Sequence, residues 1–357
     1  MDVSRDAAIA YRIHAQGLHR RSVADAAAVL DLGVQHHQSS VPVALAARLP
    51  EGAALDGELA WTHRGAPHRH TSDLAAWARR LRPLSETDAM ARLIWTTEQS
   101  AAFPALAGID RTAEVLQAVV AGPMTKGEVS TAVSRELPRE LQRDCPSCGV
   151  WHVFDQLLRL AGLPAGITLD GGRTLRALPA PPGWVRPSGV GAPEDVAELV
   201  TAAVRVLGPA TTADLAAWAG TSAGALAPAV EAAGLVAVRV EGRRAWMAPD
   251  AVDRLTDPPV PPGLRLLPPF DPLLSARDRA LLVPDAGRRR ALWPALGHPG
   301  AVLAGTDVVG TWRPTASGKK LTLAVTASGA LPRDLLDEEA ARVAAARGLR
   351  LGGVSVS

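Results

Sequence analysis

The stretch GPATTADLAAWAGTSAGALAPAVEAAGLVAVRVEGRRAWMAP, at residues 208–249, predicts two short helices followed by a β-hairpin. A threonine ahead of the first helix can cap it with its hydroxyl. Apolar and polar residues alternate on both sides of a turn at Glu241 and Gly242. The preceding PEDVAELVTAAVRVL, at 193–207, repeats apolar side chains at the spacing of one helical face. Three helices followed by a hairpin form a winged helix, which we predict for residues 193–256.

The same unit occurs earlier in the chain in a longer form. GPMTKGEV at 122–129 matches GPATTADL, and AGLPAGITLDGGRTLRALP at 161–179 matches AGLVAVRVEGRRAWMAP. Between these anchors the first copy is about fourteen residues longer, and the excess falls around RELPRELQRDCPSCG at 135–149. We therefore predict a tandem pair of winged helices with one continuous binding face, the first at 111–182 with an insertion.

Two proline-rich stretches separate the remaining segments. LPAPPGWVRPSGVGAP at 178–193 and TDPPVPPG at 256–263 are typical of linkers. Residues 263–357 contain candidate strands and a closing amphipathic helix, which predict a separate domain, and residues 1–110 form an N-terminal helical segment. The predicted fold class is mainly α with small β-hairpins, and thus α+β: tandem winged-helix units plus a C-terminal α+β domain.

Composition restricts the class of protein. Hydrophobic residues make up 47% of the 357 residues and charged residues 21%, as in a folded chain. No apolar run is long enough for a transmembrane helix, and the first residues lack the apolar block of a signal peptide. Two cysteines do not form a disulfide framework. We expect a cytoplasmic monomer with no membrane partner and no cofactor, and the net charge of +2 does not by itself indicate nucleic acid.

Polar side chains cluster in the first 85 residues, around the sequence QHHQ at 35–38. This sequence has three interpretations: the polar start of a helix, which Gln35 would cap, a metal site, or the catalytic edge of an enzyme. A metal site would need paired spacing that these histidines lack. Together with the basic wings of the predicted winged helices, the first 85 residues are predicted to form a concave face lined by arginine and histidine. The residues of that face are His19, Arg20, Arg21, Arg64, His68 and Arg79.

Both cysteines lie in the insertion, in the sequence CPSCGVWH. A zinc site requires four ligands, and a second CxxC or histidine pair is missing. We predict that Cys145, Cys148 and His152 approach one another. Two interpretations remain open, a structural knuckle that binds metal and an inert loop.

The second predicted winged helix carries its positive charge on the wing. In this fold the third helix normally enters a DNA groove while the wing contacts the backbone. Here the third helix, TSAGALAPAVEAAG, contains no arginine or lysine and is poorly equipped to read bases. The wing contains Arg239, Arg243 and Arg244. We therefore predict that this unit is a scaffold or a backbone clamp.

Three motifs resemble those of the AlkZ/YcaQ-type bacterial DNA glycosylases, a family built of tandem winged helices. GVQHHQSSVPVALAARL at 33–49 and LAWTHRGAPHRHTSDL at 59–74 are similar to the family's GLQxQ and RGTxH patterns, with Ala-Pro in place of the usual Thr-x before His68. LLPPFDPLLSARDRALL at 266–282 is similar to the closing domain, in which an aromatic-Asp pair precedes Arg-x-Arg. The resemblance covers nearly the whole chain.

The resemblance implies a catalytic motif of Gln, any residue, then Gln or Asp. Gln35 takes the first position and His37 the second, so a histidine stands where an amide or carboxylate is usual. A shift by one residue pairs His36 with Gln38 instead. The implied catalytic residues are Gln35, His37 and Gln38. The implied DNA-binding residues are Arg20, Arg21, Arg64, His68, Arg239, Arg243, Arg244, Arg277 and Arg279.

The implied activity is hydrolysis of the N-glycosidic bond of alkylated purine nucleotides in double-stranded DNA. A purine alkylated at N7 is cationic and leaves readily, so the protein need only position water and stabilise an oxocarbenium-like sugar. All three lysines lie outside the motif, which favours hydrolysis over Schiff-base chemistry. Two alternatives are a non-catalytic winged-helix protein that binds DNA or regulates transcription, and a protein-interaction scaffold.

Overall fold

A computed structural model describes residues 1–70, 73–147, 149–172 and 174–357. Helices account for 45% and strands for 20%, an α+β composition. The chain forms two compact units that interleave along the sequence. Unit 1 comprises residues 1–56, 203–214 and 235–357, and unit 2 comprises residues 57–202 and 215–234. The four predicted segments therefore do not correspond one to one with these units.

Helices dominate both units. Those of unit 1 are Arg5–Ala15, Val23–Leu32, Ser40–Ala46, Val252–Thr256, Pro272–Ser275, Arg279–Leu282, Ala286–Leu292 and Arg333–Ala346, with a 3-10 turn at Pro249–Ala251. Those of unit 2 are Leu74–Arg80, Glu86–Leu93, Thr97–Ala102, Ala105–Val119, Lys126–Glu136, Asp155–Gly162 and Ala223–Ala232, with 3-10 turns at His63–Gly65 and Arg139–Leu141. Two further helices have residues in both units, Pro193–Leu207 and Thr212–Ala219.

A five-stranded sheet forms the C-terminal part of unit 1. Its strands, in spatial order, are Arg265–Leu267, Gly300–Ala304, Asp307–Ser317, Lys320–Ala327 and Arg350–Val356. The first four pair antiparallel and the last pairs parallel, after the helix Arg333–Ala346. Trp312 is 2% exposed in the core, and its indole N–H donates to the carbonyl of Leu267 at 2.9 Å. Only glycine fits at Gly300, where a Cβ would lie 2.2 Å from the indole ring.

A second, three-stranded sheet of unit 1 contains the hairpin predicted from the sequence. Val236–Val240 pairs antiparallel with Arg243–Met247, and Asp2–Val3 adds a parallel strand. The turn residues Glu241 and Gly242 both adopt positive φ, at 47° and 76°. These are the angles that a two-residue hairpin turn requires.

The two repeat copies show the same order of elements. In the first, three helices precede a short hairpin: Ala105–Val119, Lys126–Glu136 and Asp155–Gly162, then Thr168–Leu169 and Arg176–Leu178. In the second, the helices are Pro193–Leu207, Thr212–Ala219 and Ala223–Ala232, followed by the hairpin described above. The insertion in the first copy forms a separate hairpin, Gln142–Cys145 with Val150–Val153.

Equivalent residues of the two copies also make equivalent contacts. Met124 pairs with the hairpin strand at Ala177, and Ala210 pairs with the other hairpin at Trp246. In each copy the next residue is a threonine whose hydroxyl caps the following helix. The carboxylate of the residue three positions later accepts a hydrogen bond from the backbone N–H of that threonine. This recurrence explains why the repeat is visible in the sequence.

Five short strands of unit 2 pair in the order Pro67–His70, Glu58–Trp61, Thr168–Leu169, Arg176–Leu178 and Met124–Thr125. The helices of this unit bury their apolar faces in one core, which includes Leu116, Leu141 and Leu157, each 0% exposed. Within the part of the chain that the structure describes, no helix has the length and apolarity needed to span a bilayer.

Candidate active site and nucleic-acid interface

The QHHQ sequence forms a tight loop of unit 1, between the strand Val34–Gln35 and the helix Ser40–Ala46. The hydroxyl of Ser40, a residue 4% exposed, closes this loop. It donates to the carbonyl oxygen of Gln35 at 2.8 Å and accepts the backbone N–H of His37 at 2.9 Å. The backbone of the loop is therefore held from inside the protein.

This loop leaves polar side chains available to a ligand. Gln35 is half-buried, and His37 and Gln38 are exposed. None of these three side chains has a hydrogen-bond partner among the described residues. His36 is half-buried and interacts with its surroundings. The helix that follows has Ser39 at its N-cap, so the interpretation of Gln35 as the helix cap is wrong.

Phe270, from the C-terminal motif, lies directly against the loop. Its ring centroid is 4.8 Å from that of His37 and 5.0 Å from that of His298. Burial, and then the neighbouring His298, lower the pKa of His37, so this imidazole is neutral at pH 7. Phe270 has a φ of 61°, and such uncommon backbone angles cluster at functional sites. We refer to the rings of His37, Phe270 and His298 as the ring platform.

A fully buried ion pair holds the ring platform in place. Arg48 and Asp271 are both 0% exposed, and their two hydrogen bonds measure 2.7 and 2.8 Å. Arg48 also donates to the side-chain oxygen of Gln16 at 3.0 Å, and Asp271 caps the helix Pro272–Ser275. Arg48 lies just beyond the helix that follows the loop, and Asp271 is next to Phe270. The pair therefore connects the two motifs.

The predicted DNA-binding arginines of unit 1 differ in their exposure to solvent and in their ion pairing. Arg20 forms hydrogen bonds of 2.5 and 2.7 Å with the carboxylate of Glu339, whose side chain is 5% exposed. Its charge is neutralised inside the protein, which gives Arg20 a structural role. Arg277 and Arg279 are half-buried. The exposed members of the set are Arg21, Arg239, Arg243 and Arg244.

Arg64 and His68 lie in unit 2, within a buried cluster of histidines. His68 is 1% exposed, its Nδ1 lies 2.9 Å from the hydroxyl oxygen of Thr62, and its ring stacks on His63 at 3.9 Å. Burial lowers the pKa of His68 well below 6.5. Arg64 donates to the backbone carbonyl of Trp218. Both side chains thus contribute to the stability of unit 2, and their role in DNA binding stays a prediction.

The predicted concave face draws its residues from both units. His19, Arg20 and Arg21 belong to unit 1, and Arg64, His68 and Arg79 belong to unit 2. Arg21 and Arg79 are exposed, whereas the other four are half-buried or buried. A single face formed by all six residues stays a prediction.

The cysteine insertion is a β-hairpin of unit 2. Cys145 pairs in register with Val150, and His152 pairs with Arg143, so Cys145 and His152 are diagonal neighbours on one face. Cys148 lies outside the described residues. Among those described, no group of three histidine, cysteine or acidic side chains could hold a metal ion. The predicted metal site is thus neither supported nor excluded.

Two candidate features escaped the sequence analysis. His298 reaches the ring platform from the residues just before the strand Gly300–Ala304, where no motif marks it. Lys319 and Lys320 lie at the exposed turn of the longest hairpin. The signal for these lysines was present, because two of the chain's three lysines are adjacent in the sequence.

The chain is similar to known DNA glycosylases. Among solved structures, the DNA glycosylase AlkZ of Streptomyces sahachiroi is similar over 100% of both chains, with a TM-score of 0.76 and 23% sequence identity. A search of curated proteins finds no match. The family model described as DNA glycosylase AlkZ-like matches residues 29–348. Since that match spans most of the chain and includes both motifs of the ring platform, the protein belongs to the AlkZ-like family of DNA glycosylases.

Proposed function

We propose that this protein is a monofunctional DNA glycosylase that hydrolyses the N-glycosidic bond of an alkylated purine nucleotide in double-stranded DNA. One observation carries the proposal: the loop that contains Gln35, His37 and Gln38, whose side chains have no hydrogen-bond partner among the described residues, contributes His37 to the ring platform of unit 1. Family membership supports the class of reaction. The chemistry of the loop and the rings supports the class of substrate.

The ring platform suits a cationic base that has been rotated out of the duplex. A base stacked in DNA is beyond the reach of these side chains, so the nucleotide must be extruded first. Aromatic faces attract cations, and the lowered pKa of His37 keeps this ring from carrying a repelling charge at pH 7. A purine alkylated at N7 carries the positive charge that such a site favours.

The reaction needs few groups because the leaving base is already activated. Cleavage of the C–N bond returns the bonding electrons to the base and neutralises it, while the sugar becomes oxocarbenium-like. The amide oxygen of Gln35 can orient a water molecule toward the anomeric carbon, and the imidazole of His37 can accept its proton. In the shifted pairing, His36 and Gln38 take these two roles.

We further propose that both repeats are winged helices and that exposed arginines bind the DNA backbone. On the second hairpin Arg239 and Arg244 stand directly opposite each other in register. Like charges in that position are unfavourable, and a phosphate placed near both would remove the repulsion. Such contacts fix the position of the protein on the duplex without reading its sequence.

Release of 7-methylguanine from a methylated duplex tests the proposal. The expected result is free base from the wild-type protein under conditions in which a characterised alkylpurine glycosylase also releases it. Tight duplex binding without any base release would leave a non-catalytic DNA-binding protein. Duplex affinity that does not change with salt would exclude contacts to phosphates.

A further inference from the structure

Arg277 and Arg279 are two half-buried cations for which the protein provides no anion. The Nε atom of each is shielded from solvent, and neither guanidinium has a hydrogen-bond or ion-pair partner among the residues that the structure describes. The guanidinium of Arg279 lies 4.8 Å from the ring centre of Trp293. Burial lowers the pKa of both side chains, and the nearby charge of Arg279 lowers that of Arg277 further.

The acidic residue between them is already paired. Asp278 accepts two hydrogen bonds from the buried Arg12, of 2.5 and 2.9 Å. Arg12 is held in turn by the backbone carbonyls of Gly208 and Pro209. Asp278 therefore cannot turn toward its neighbours without leaving Arg12 as an unpaired buried charge.

The contrast with other arginines of unit 1 is informative. A charge that is partly removed from water is unfavourable unless it is paired, and a second cation beside it adds repulsion. Five shielded arginines of this unit have carboxylate partners, namely Arg5, Arg12, Arg20, Arg48 and Arg265. Arg342, which is also half-buried, instead donates to the backbone carbonyls of Ala46 and Leu49. Arg277 and Arg279 differ because two cations without such partners lie close enough to repel each other, and an anion from a ligand would remove this repulsion.

We propose that Arg277 and Arg279 together bind a single phosphodiester group of the DNA strand that carries the damaged nucleotide. The identity of this ligand rests on the proposed function. Guanidinium groups bind phosphate oxygens through two parallel N–H donors, so two of them can enclose one phosphate. Both side chains remain half-exposed, which leaves access for a phosphate.

Chain connectivity places this phosphate close to the ring platform. Phe270 precedes Arg277 by seven residues, and the helix Pro272–Ser275 lies between them, so the two Cα atoms are within about 19 Å. Trp293, under Arg279, is five residues from His298. A strand held by the two arginines would thus present a nucleotide only a few positions away to the rings.

The salt dependence of DNA binding tests the assignment. The probe is a fluorescein-labelled duplex with a tetrahydrofuran abasic-site analogue, titrated at several salt concentrations with wild type, R277A, R279A and the double variant. One phosphate contact contributes about 0.9 to the slope of log K against log salt. We expect the double variant to lose about 0.9 and to bind roughly tenfold more weakly at 0.1 M salt. Each single variant should lose most of this, because both side chains serve one phosphate.

Arg290 provides a matched control. It lies exposed in the neighbouring helix Ala286–Leu292, and R290A removes the same charge. Its slope should equal that of the wild type. R277Q and R279Q, which remove the charge but keep a polar stem, should repeat the alanine results. The melting temperature of the double variant should stay close to that of the wild type, because loss of the Arg279 contact with Trp293 is offset by relief of the repulsion between the two guanidiniums.

Three outcomes would overturn the assignment. An unchanged slope in the double variant would exclude a phosphate contact, and an additive loss of about 1.8 would indicate two separate phosphates. If millimolar inorganic phosphate raises the melting temperature of the wild type but not of the double variant, while the salt slopes of these two proteins agree, the site binds free phosphate.

A separate outcome distinguishes this assignment from the proposed function. If the salt slope of the double variant falls as expected but the wild type releases no methylated base, the proposed function fails and the phosphate site stands.

Discussion

At the scale of single residues, the backbone and the side chain of Gln35 serve different purposes. Its carbonyl is held by Ser40, whereas its amide has no partner among the described residues. We therefore expect Q35A to fold normally and to release base about 100- to 1000-fold more slowly, the loss typical of one transition-state contact. Affinity for undamaged duplex should stay nearly constant, because phosphate contacts supply most of it. Single-turnover base release and duplex binding measure the two effects.

Q38A is the natural comparison for that experiment. If Gln35 and His37 form the catalytic pair, Q38A should retain most of the activity. If the large loss falls on Q38A and Q35A remains active, the catalytic pair is His36 and Gln38.

The lowered pKa of His37 predicts that the rate of base release depends on pH. Its pKa is lowered, so the imidazole is neutral at pH 7 and gains a proton only below 6.5. The protonated ring cannot accept a proton from water, and it repels the cationic base. Base release by the wild type should therefore fall as the pH drops through this lowered pKa. H37Q, which restores an amide, should preserve or raise activity and flatten the acid limb of the pH–rate profile. If H37Q keeps the acid limb of the wild-type profile, a group other than His37 causes the fall in base release at low pH.

At the scale of elements, the Arg48–Asp271 pair connects the loop helix to the segment that carries Phe270. D271N leaves Arg48 buried without a counter-charge, which typically costs about 3–5 kcal/mol. We expect that loss in urea unfolding, together with reduced base release as Phe270 shifts. R333A, which breaks the exposed Arg333–Asp337 pair, is the control, and pairs of that kind contribute only about 0.3–0.5 kcal/mol. Equal stability of D271N and the wild type would contradict a structural role for the pair.

Local signals explain which elements the sequence could predict. The order of helices and hairpins in both repeats follows from threonine caps, apolar spacing and a turn at Glu241 and Gly242, all read within about fifteen residues. The contact of His37 with Phe270 joins residues 233 positions apart and has no local signature. Arg20 and Glu339 are also far apart in the sequence, at 319 positions. Because no local signal reveals this pair, the sequence alone favours an exposed Arg20.

The strand that carries part of the histidine cluster of unit 2 has a signal in the sequence, but no strand is predicted there. The sequence PHRH resembles a solvated loop by composition. It forms a strand, Pro67–His70, in which burial alternates along the chain, with His68 and His70 inside and Arg69 between them partly exposed. A period of two residues indicates a strand even when its inward side chains are polar. The polar character of those side chains concealed the pattern.

At the scale of the whole molecule, function and stability draw on different parts of the chain. Most of the proposed site residues belong to unit 1, whose three sequence segments are separated by the residues of unit 2. The buried polar residues of unit 2 instead contribute to the stability of the fold. Its histidine cluster makes that stability dependent on pH, through a group that the proposed reaction does not use.

Burial of His68 predicts that the protein loses stability in mild acid. The unfolded chain protonates this residue near its ordinary pKa of 6.5, whereas the folded protein keeps it neutral well below that value. Below pH 6.5 the unfolded state therefore binds more protons, and the free energy of unfolding falls by up to about 1.4 kcal/mol per pH unit. Above pH 6.5 this dependence disappears.

Urea unfolding at pH 7.5, 6.5 and 5.5 measures the pH dependence of the free energy of unfolding, in a range where carboxylates stay ionised. H68Q, which keeps a polar atom near Thr62 but does not titrate, should have a clearly shallower slope. H37Q should reduce the slope less than H68Q does, because the pKa of His37 is lowered less far than that of His68. A wild-type stability that is flat from pH 7.5 to 5.5, or an H68Q slope as steep as the wild type, would show that His68 is not the group responsible.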